Sequence, residues 1–184
     1  MAKTMKAIAL VSALITMLCT VLYRNMKTGL FLALTVTFGT TFYHFVMRLL
    51  VGWTINLILH NHVDYRAGWF RVHSFEQKIY KALSIKKWKG KMPTYDPSFF
   101  DCRLHTWDEI AQATCQAELV HEVIILLSFV PILASIPFGA FWVFVITSIL
   151  AACLDAVFVI LQRYNRPRII QLIEHAEKNN FLKG

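Results

Sequence analysis

Apolar residues fall into two long blocks of the chain, Ala7 to Leu59 and Leu119 to Leu161, with a polar stretch between them. A helix needs about 20 predominantly apolar residues to cross a bilayer, so each block has room for two transmembrane helices. The polar residues 23–28 divide the first block, while Pro131, Pro137 and Gly139 break the second. The pattern therefore predicts an all-α integral membrane protein with four transmembrane helices.

The predicted transmembrane helices cover residues 7–22, 29–50, 119–136 and 138–161, within a single membrane domain over residues 1–184. The second helix extends to Leu59 if the polar positions beyond Leu50 stay helical. A tight turn over residues 136–139 is expected between the last two helices. Lys3 and Lys6 before the first helix also fit a cleaved signal peptide. Because the next apolar helix begins soon after the first, we favour a retained helical hairpin.

Composition and charge support a membrane protein and predict its orientation. Of the 184 residues, 57% are hydrophobic and 16% are charged, whereas a soluble domain usually has about a quarter of its residues charged. Lys and Arg gather in residues 60–118 and after Leu161, while the two short turns contain only Arg24 and Lys27. The positive-inside rule then places the large loop and both termini in the cytosol of a multi-pass cell-membrane protein. The net charge of +8 adjoins a bilayer, so we expect membrane lipids as partners and no nucleic acid.

The polar loop is expected to contain amphipathic helices at the membrane interface. Between residues 74 and 83, apolar residues recur at helical spacing: Phe75, Ile79, Ala82 and Leu83. A basic cluster over residues 85–92 surrounds Trp88, which suits the lipid headgroup layer. These lysines either adhere to anionic lipid or contact the phosphates of a bound substrate, and both interpretations stay open. Pro93 and Pro97 predict a loop after the cluster.

Residues 108–116 are predicted to form a helix that continues directly into the third transmembrane helix. Three ionisable residues, Glu118, His121 and Glu122, follow at spacings that put them on one helical face. A carboxylate beside an imidazole fixes the tautomer of the ring and raises its basicity, so this group suggests a general base. The structural alternative is a helix N-terminus whose acids favour the helix dipole, which explains Glu118 better than the two deeper residues.

The fourth transmembrane helix has a polar stripe: Asp155, Val159, Gln162 and Arg166. An Asp in hydrocarbon is unfavourable by about 2.5 to 3.5 kcal/mol, so Asp155 is expected to meet a partner or water inside the bundle. The run over residues 162–168 contains three arginines, and Pro167 predicts that the chain turns there at the membrane surface. The arginines either anchor to headgroups or form a specific site with Tyr164 and Asn165.

A further polar group would line the second helix if that helix continues to Leu59: His44, Arg48, Asn56, His60 and His62. The pattern His60-x-His62-x-Asp64 lacks the helical His pair of a zinc protease, so we expect no metal site. The four cysteines show no C-x-x-C spacing, which argues against a zinc site and a disulfide framework.

Several stretches together resemble one family of membrane enzymes. They are Phe75-Glu76 with Tyr80, Ile85 to Met92, Asp101-x-Arg103, Ala117 to His121, and Gln162-Arg163-Tyr164-Asn165-Arg166-Pro167-Arg168. Their order and spacing resemble the glycosyl-4,4'-diaponeurosporenoate acyltransferases, small bacterial membrane proteins assigned to the last step of staphyloxanthin synthesis. The resemblance covers residues 75–172. It implies transfer of a fatty acyl group to a sugar hydroxyl of a membrane glycolipid in carotenoid biosynthesis.

Acyl transfer to an alcohol requires a base, donors for the oxyanion and binding of two lipid-like substrates. We expect His121 to be the base, Glu118 to orient it, and Arg166 to stabilise the oxyanion. Additional substrate-binding candidates are Arg168, Asn165, Tyr164, Arg163, Asp155, Glu122, Arg103, Trp88, Lys87 and Lys89. The lysines suit the phosphates of a thioester donor such as an acyl-coenzyme A, which would be a substrate, so no cofactor is expected.

Two other functions stay open at this stage. Small membrane methyltransferases that use S-adenosylmethionine also place Arg- and His-bearing loops beneath their helices. A non-enzymatic lipid-binding scaffold would use the same polar residues only as membrane anchors.

Overall fold

The computed structural model describes residues 2–92 and 97–181, and over these residues it is helical without strands. Its helices are α1 (Ala2–Met26), α2 (Gly29–Leu59), α3 (Ser74–Ala82), α4 (Ile85–Trp88), α5 (Trp107–Leu127), α6 (Ser135–Phe138) and α7 (Phe141–Phe181). Short 3-10 helices lie at Gly68–Phe70, Lys89–Lys91, Pro97–Phe100 and Val130–Ala134. The loop predicted at Pro93 lies outside the described residues. The all-α prediction is confirmed.

Within the described residues, four helical segments are long and apolar enough to cross a membrane: Ala2–Met26, Gly29–Leu59, Trp107–Phe138 and Phe141–Asn179. This confirms the predicted number of transmembrane helices and identifies a multi-pass membrane protein. Leu10, Leu14 and Met17 of α1 each expose more than half of their surface. Such apolar exposure is expected of side chains that face lipid.

The helix boundaries agree with two of the sequence expectations and differ from a third. The second helix ends at Leu59, and α5 begins at Trp107, so residues 108–116 do continue into the third transmembrane helix as predicted. The expected tight turn over residues 136–139 is instead the short helix α6 followed by Gly139 and Ala140, both with positive φ. Because glycine has no Cβ, Gly139 accepts this left-handed region without strain.

The predicted turn at Pro167 is wrong, because α7 runs through this residue to Phe181. A proline inside a helix removes one backbone hydrogen bond and clashes with the preceding turn, at a cost of about 3 kcal/mol. Tertiary contacts on both sides oppose this local preference. Arg163 and Arg166 bond groups on other elements, and Ile173 packs in a hydrophobic cluster.

The chain divides into two compact units, of which one comprises Met1–Trp53 and Val123–Leu154. In this unit the Tyr43 hydroxyl donates a hydrogen bond to the Leu127 carbonyl at 2.9 Å. Arg48 donates to the carbonyls of His44 and Ala151, at 3.0 Å and 3.4 Å. The guanidinium of Arg48 therefore contacts backbone of two helices. The single domain over residues 1–184 stays a prediction.

The other unit comprises Thr54–Glu122 and Asp155–Gly184, and it contains almost all of the polar loop. Here α5 and α7 are antiparallel. Ala111 and Cys115 belong to one buried cluster with Ile173, while His121, later on α5, contacts Asp155, earlier on α7. The side chains of α5 therefore meet those of α7 in reverse sequence order, which brings the predicted site residues of both helices together.

Helix α3 is inverted relative to a soluble amphipathic helix. Its buried residues are Glu76 and Tyr80, whereas Phe75, Ile79 and Leu83 are 59%, 46% and 47% exposed. A polar side chain turned inward and an apolar row turned outward suit a helix that lies in the interfacial layer of a bilayer. This arrangement agrees with the predicted interfacial helix and adds which face points inward.

We therefore predict that Ile79 contacts lipid and that Lys78 does not. With Cys102 and Cys153 replaced by serine, Ile79→Cys and Lys78→Cys would be labelled with an environment-sensitive fluorophore in nanodiscs. The emission from position 79 is expected at shorter wavelength, because that label enters the acyl boundary. Equal emission from the two positions would contradict an interfacial α3.

Candidate active site

Four charged side chains meet between α3, α5 and α7, and we call them the arginine cluster: Glu76, Glu118, Arg163 and Arg166. Glu118 and Arg166 have fully buried side chains, while Arg163 and Glu76 expose only 16% and 10%. Two carboxylates and two guanidiniums balance in charge. Buried ions need such partners, since moving an unpaired ion out of water costs several kcal/mol.

The guanidinium of Arg163 bonds carboxylates on two helices, α3 and α5. Its Nε and Nη2 donate to the two carboxylate oxygens of Glu76 at 2.7 Å and 2.9 Å, and Nη1 donates to Glu118 at 2.7 Å. The same side chain also donates to the carbonyls of Trp69 and Arg71. Arginine suits this position because its planar donors match a carboxylate in two parallel bonds. Arg163 therefore ties the loop and α3 to α7.

Arg166 lies one helical turn further along α7 and is completely buried. It donates to Glu118 and to the carbonyls of Phe70 and Thr114, at 3.1 Å and 3.4 Å for the two carbonyls. Its guanidinium lies 5.0 Å from the centre of the Phe70 ring. A side chain enclosed in this way contacts no substrate, so the geometry gives no support to Arg166 as an oxyanion donor.

Glu76 is the member of the cluster that belongs to the polar loop. The bonds from Arg163 hold the pKa of the Glu76 carboxyl far below its usual range, although burial opposes this shift. The Tyr80 hydroxyl donates to Glu76 at 2.6 Å, and burial together with that bond raises the pKa of Tyr80. The backbone amide of His73 also donates to Glu76, at 2.9 Å. Glu76 is thus an ionised, fully bonded anchor for α3.

His121 pairs with Asp155 and not with Glu118. The His121 Nδ1 atom lies 2.9 Å from an oxygen of Asp155, whose side chain is 2% exposed, while the imidazole is 23% exposed. The expectation that Glu118 orients His121 is wrong, because both oxygens of Glu118 accept from arginines. The expectation that Asp155 meets a partner is correct. We call His121 and Asp155 the dyad.

Two neighbours complete the surroundings of the dyad. The ring of Phe158 stacks on the His121 imidazole, with centroids 4.7 Å apart and planes 11° from parallel. Glu122, the residue after His121 on α5, accepts a hydrogen bond from the exposed Trp69 indole at 3.0 Å. The stacking and the Asp155 bond fix the plane of the imidazole. A part-exposed, oriented imidazole is what general-base chemistry requires.

Of the other predicted site residues, Lys89 of the basic cluster contacts the arginine run on α7. Lys89 donates to the Asn165 amide oxygen at 2.8 Å, and its ammonium lies 5.0 Å from the centre of the Tyr164 ring. Trp88 is half-buried, and its indole donates to the Leu83 carbonyl at 2.9 Å. Lys87 and Arg168 are exposed. Arg103 is also exposed, in the turn before α5, where its amide donates to Asp101.

Sequence reasoning missed the part that the loop plays in the arginine cluster. Glu76 looked like one of several charged residues on an amphipathic helix, and the carbonyls of Trp69, Phe70 and Arg71 carry no side-chain signal at all. The signal that existed was an excess of arginine in residues 162–168, which needs buried acids if it is not a headgroup anchor. Within the described residues, no three His, Cys, Asp or Glu side chains meet as metal ligands.

Comparison with known proteins adds the class of reaction. The family model for glycosyl-4,4'-diaponeurosporenoate acyltransferase matches residues 66–175, more than half of the chain. The chain belongs to this acyltransferase family. No match was found among the curated proteins or among the solved structures.

The matched region of this acyltransferase includes every residue of the arginine cluster and of the dyad. An acyltransferase is an enzyme, and the methyltransferase and scaffold alternatives are therefore set aside. Both α1 and α2 lie outside the match. The family match therefore lies in the polar loop, α5 and α7.

We predict that Glu118→Gln strongly destabilises the acyltransferase. The substitution leaves Arg166 buried without a carboxylate, and breaking a buried ion pair on one side costs about 3 to 5 kcal/mol. A clear fall in the melting temperature of the detergent-purified protein is expected. Glu177→Gln is the matched control, because Glu177 is exposed and its 3.7 Å contact with Arg66 is a surface ion pair worth about 0 to 1 kcal/mol.

The double substitution Glu118→Gln with Arg166→Gln tests the cause of that loss. Removing both charges should destabilise less than the sum of the single substitutions, since no isolated ion stays buried between these two positions. A Glu118→Gln protein that melts like the wild type would refute a structural role for the cluster.

Proposed function

We propose that this acyltransferase moves a fatty acyl group from an activated donor to a sugar hydroxyl of a membrane glycolipid, with His121 as the general base. The observation that carries the proposal is the 2.9 Å contact between His121 Nδ1 and the buried carboxylate of Asp155. An ionised carboxylate only accepts hydrogen bonds, so Nδ1 carries the proton in this pair. The lone pair of the neutral imidazole is then on Nε2.

The proposed reaction proceeds by direct transfer. The Nε2 atom of His121 takes the proton of the acceptor hydroxyl while the hydroxyl oxygen forms a bond to the acyl carbonyl carbon. When the tetrahedral intermediate collapses, the bond from the carbon to the leaving group of the donor breaks, and the imidazolium returns its proton to that leaving group. Asp155 stabilises the imidazolium and keeps the ring oriented, as the acid does in a catalytic triad.

In this proposal the arginine cluster positions the dyad and does not touch the substrate. Glu118 precedes His121 by one turn of α5, and Arg163 follows Phe158 by about one turn of α7. Bonds between Glu118 and the two arginines fix the register of the antiparallel helices next to the dyad. Because the cluster is neutral in sum and buried, it supplies rigidity more than charge.

The acceptor we propose is a lipid-soluble glycoside. The family description names a glycosyl carotenoid acid, which has a sugar at the end of a long apolar chain. An apolar exterior on the transmembrane helices suits such a chain, while the part-exposed imidazole suits the sugar hydroxyl. We therefore propose that the acyl chain and the carotenoid chain both lie among the membrane lipids. Only the reacting groups would then enter the unit that contains the dyad.

The first test concerns the dyad. We predict that His121→Ala lowers ester formation by about 100-fold or more, because general-base catalysis contributes roughly 10² to 10⁴. Asp155→Asn should lower kcat at least tenfold while leaving KM for the donor unchanged, since it alters the imidazole and not donor binding. Nanodisc protein would be assayed with radiolabelled palmitoyl-coenzyme A and a glucosylated carotenoid acid, and labelled ester would be counted in the lipid extract.

The controls for this test separate chemistry from folding. His175→Ala removes an exposed histidine of the same unit and should leave turnover unchanged. Melting temperatures of all variants are measured together, so that a loss of activity is attributed to the dyad only where the protein stays folded. Wild-type turnover by folded His121→Ala would exclude His121 as the base.

We also propose that the dyad works on the cytosolic side of the membrane. Nine Lys and Arg residues in residues 60–118 support this by the positive-inside rule: Arg66, Arg71, Lys78, Lys81, Lys86, Lys87, Lys89, Lys91 and Arg103. The α1–α2 turn, with Lys27 and Thr28, would then lie outside the cell.

This orientation predicts the labelling of two introduced cysteines, tested one at a time after Cys102 and Cys153, the exposed native cysteines, are replaced by serine. An impermeant maleimide added to intact cells should label Thr28→Cys at the α1–α2 turn. It should label Lys87→Cys only after the membrane is opened, because that residue is exposed on the polar loop. The opposite pattern would place the loop and the dyad outside the cell.

A further inference from the structure

A group of cations near Asn165, in the same unit as the dyad, has no part in the proposed proton transfer. Lys89 lies in the 3-10 turn after α4, and its ammonium bonds the neutral amide of Asn165 at 2.8 Å. Arg168 is three residues after Asn165 on α7, and Lys86 is three residues before Lys89, so each lies on the same face as its neighbour. The charges of Arg168 and Lys86 both lie near enough to Lys89 to act on its ammonium.

The turn that bears Lys89 is held firmly against α7. Ile85 is completely buried in a cluster with Tyr80 and Leu161, against which Trp88 packs. Just before it, Ser84 has a left-handed backbone with φ of 49°, which redirects the chain between α3 and α4. Lys89 is therefore presented by an ordered segment and is less mobile than a lysine at the end of an exposed helix.

Without a bound anion, the proximity of Lys86, Lys89 and Arg168 is electrostatically unfavourable. Burial and the charges of Arg168 and Lys86 lower the pKa of the Lys89 ammonium, so each cation makes the next less favourable. In the described part of the chain, Lys89 contacts an amide oxygen and an aromatic ring, neither of which carries a negative charge. An anion that bonds all three cations would relieve this repulsion.

We propose that Lys86, Lys89 and Arg168 form a binding site for a phosphate group, and that this phosphate belongs to the acyl donor. The second half of this assignment rests on the proposed function. Asn165 follows Asp155 by ten residues of α7, which is roughly 15 Å along a helix. A donor that spans this distance needs a long flexible arm between its phosphates and its thioester carbonyl, as in an acyl-coenzyme A. Lipid headgroup phosphate is the other source with the same chemistry.

Direct binding of coenzyme A to protein in phosphatidylcholine nanodiscs tests the site without any turnover. Lys89→Gln and Arg168→Gln should each raise the Kd about tenfold or more, which is a loss of about 1.4 kcal/mol per factor of ten. Lys81→Gln, an exposed lysine of α3, is the matched control and should bind like the wild type. Pantetheine, which lacks the phosphates, should bind equally weakly to all of these proteins.

A second arm identifies a lipid source. If the wild type does not bind coenzyme A, native mass spectrometry of protein from nanodiscs of phosphatidylcholine and phosphatidylglycerol should show retained phosphatidylglycerol that Lys89→Gln loses and Lys81→Gln keeps. That outcome supports the phosphate site and overturns its assignment to the donor. If neither ligand depends on Lys89 or Arg168, the site itself is refuted.

The proposed function and the phosphate site fail separately. His121→Ala should bind coenzyme A with wild-type affinity even though it loses turnover. Normal turnover by folded His121→Ala, with binding still dependent on Lys89, would remove the base and leave the phosphate site standing.

Discussion

The unit formed by Thr54–Glu122 and Asp155–Gly184 depends on one buried carboxylate, Glu118. Its two oxygens accept from Arg163 and Arg166, which lie one turn apart on α7, while Glu118 itself is on α5. Neither arginine has another position at comparable energy, because a buried guanidinium without a carboxylate is strongly unfavourable. The pairing therefore fixes both the distance and the register of the two helices. The His121–Asp155 contact and the packing of Cys115 with Ile173 have the same register.

The loop is built onto this same pairing. Arg163 also bonds Glu76 of α3, and the two arginines together donate hydrogen bonds to three consecutive loop carbonyls, at residues 69–71. Backbone carbonyls near apolar surroundings need donors, and the arginines supply them without a strand or helix partner. This explains how an irregular segment packs closely on two long helices.

The dyad forms because of the register between α5 and α7, and not because of the residues next to His121 in the sequence. Once Glu118 meets Arg163 and Arg166, the antiparallel helices bring His121, a turn later on α5, to Asp155 and Phe158, earlier on α7. The carboxylate that pairs with the His121 imidazole is then 34 residues away in the chain. Both oxygens of the neighbouring carboxylate, Glu118, accept hydrogen bonds from arginines. Glu118 and His121 are three residues apart and still have different partners: Glu118 links α5 to the arginines of α7, whereas His121 pairs with Asp155.

The sequence by itself determined the all-α class, the number of transmembrane helices and the family, because apolar length and motif order are local properties. It also indicated that Asp155 needs a partner, since an ion in hydrocarbon is costly wherever the helix goes. Only the tertiary structure decided which partner that is, that α7 continues through Pro167, and that Glu76 turns inward. These outcomes depend on long-range ion pairs whose energies exceed the local preferences of a proline or an amphipathic helix, and spacing along one chain segment does not record them.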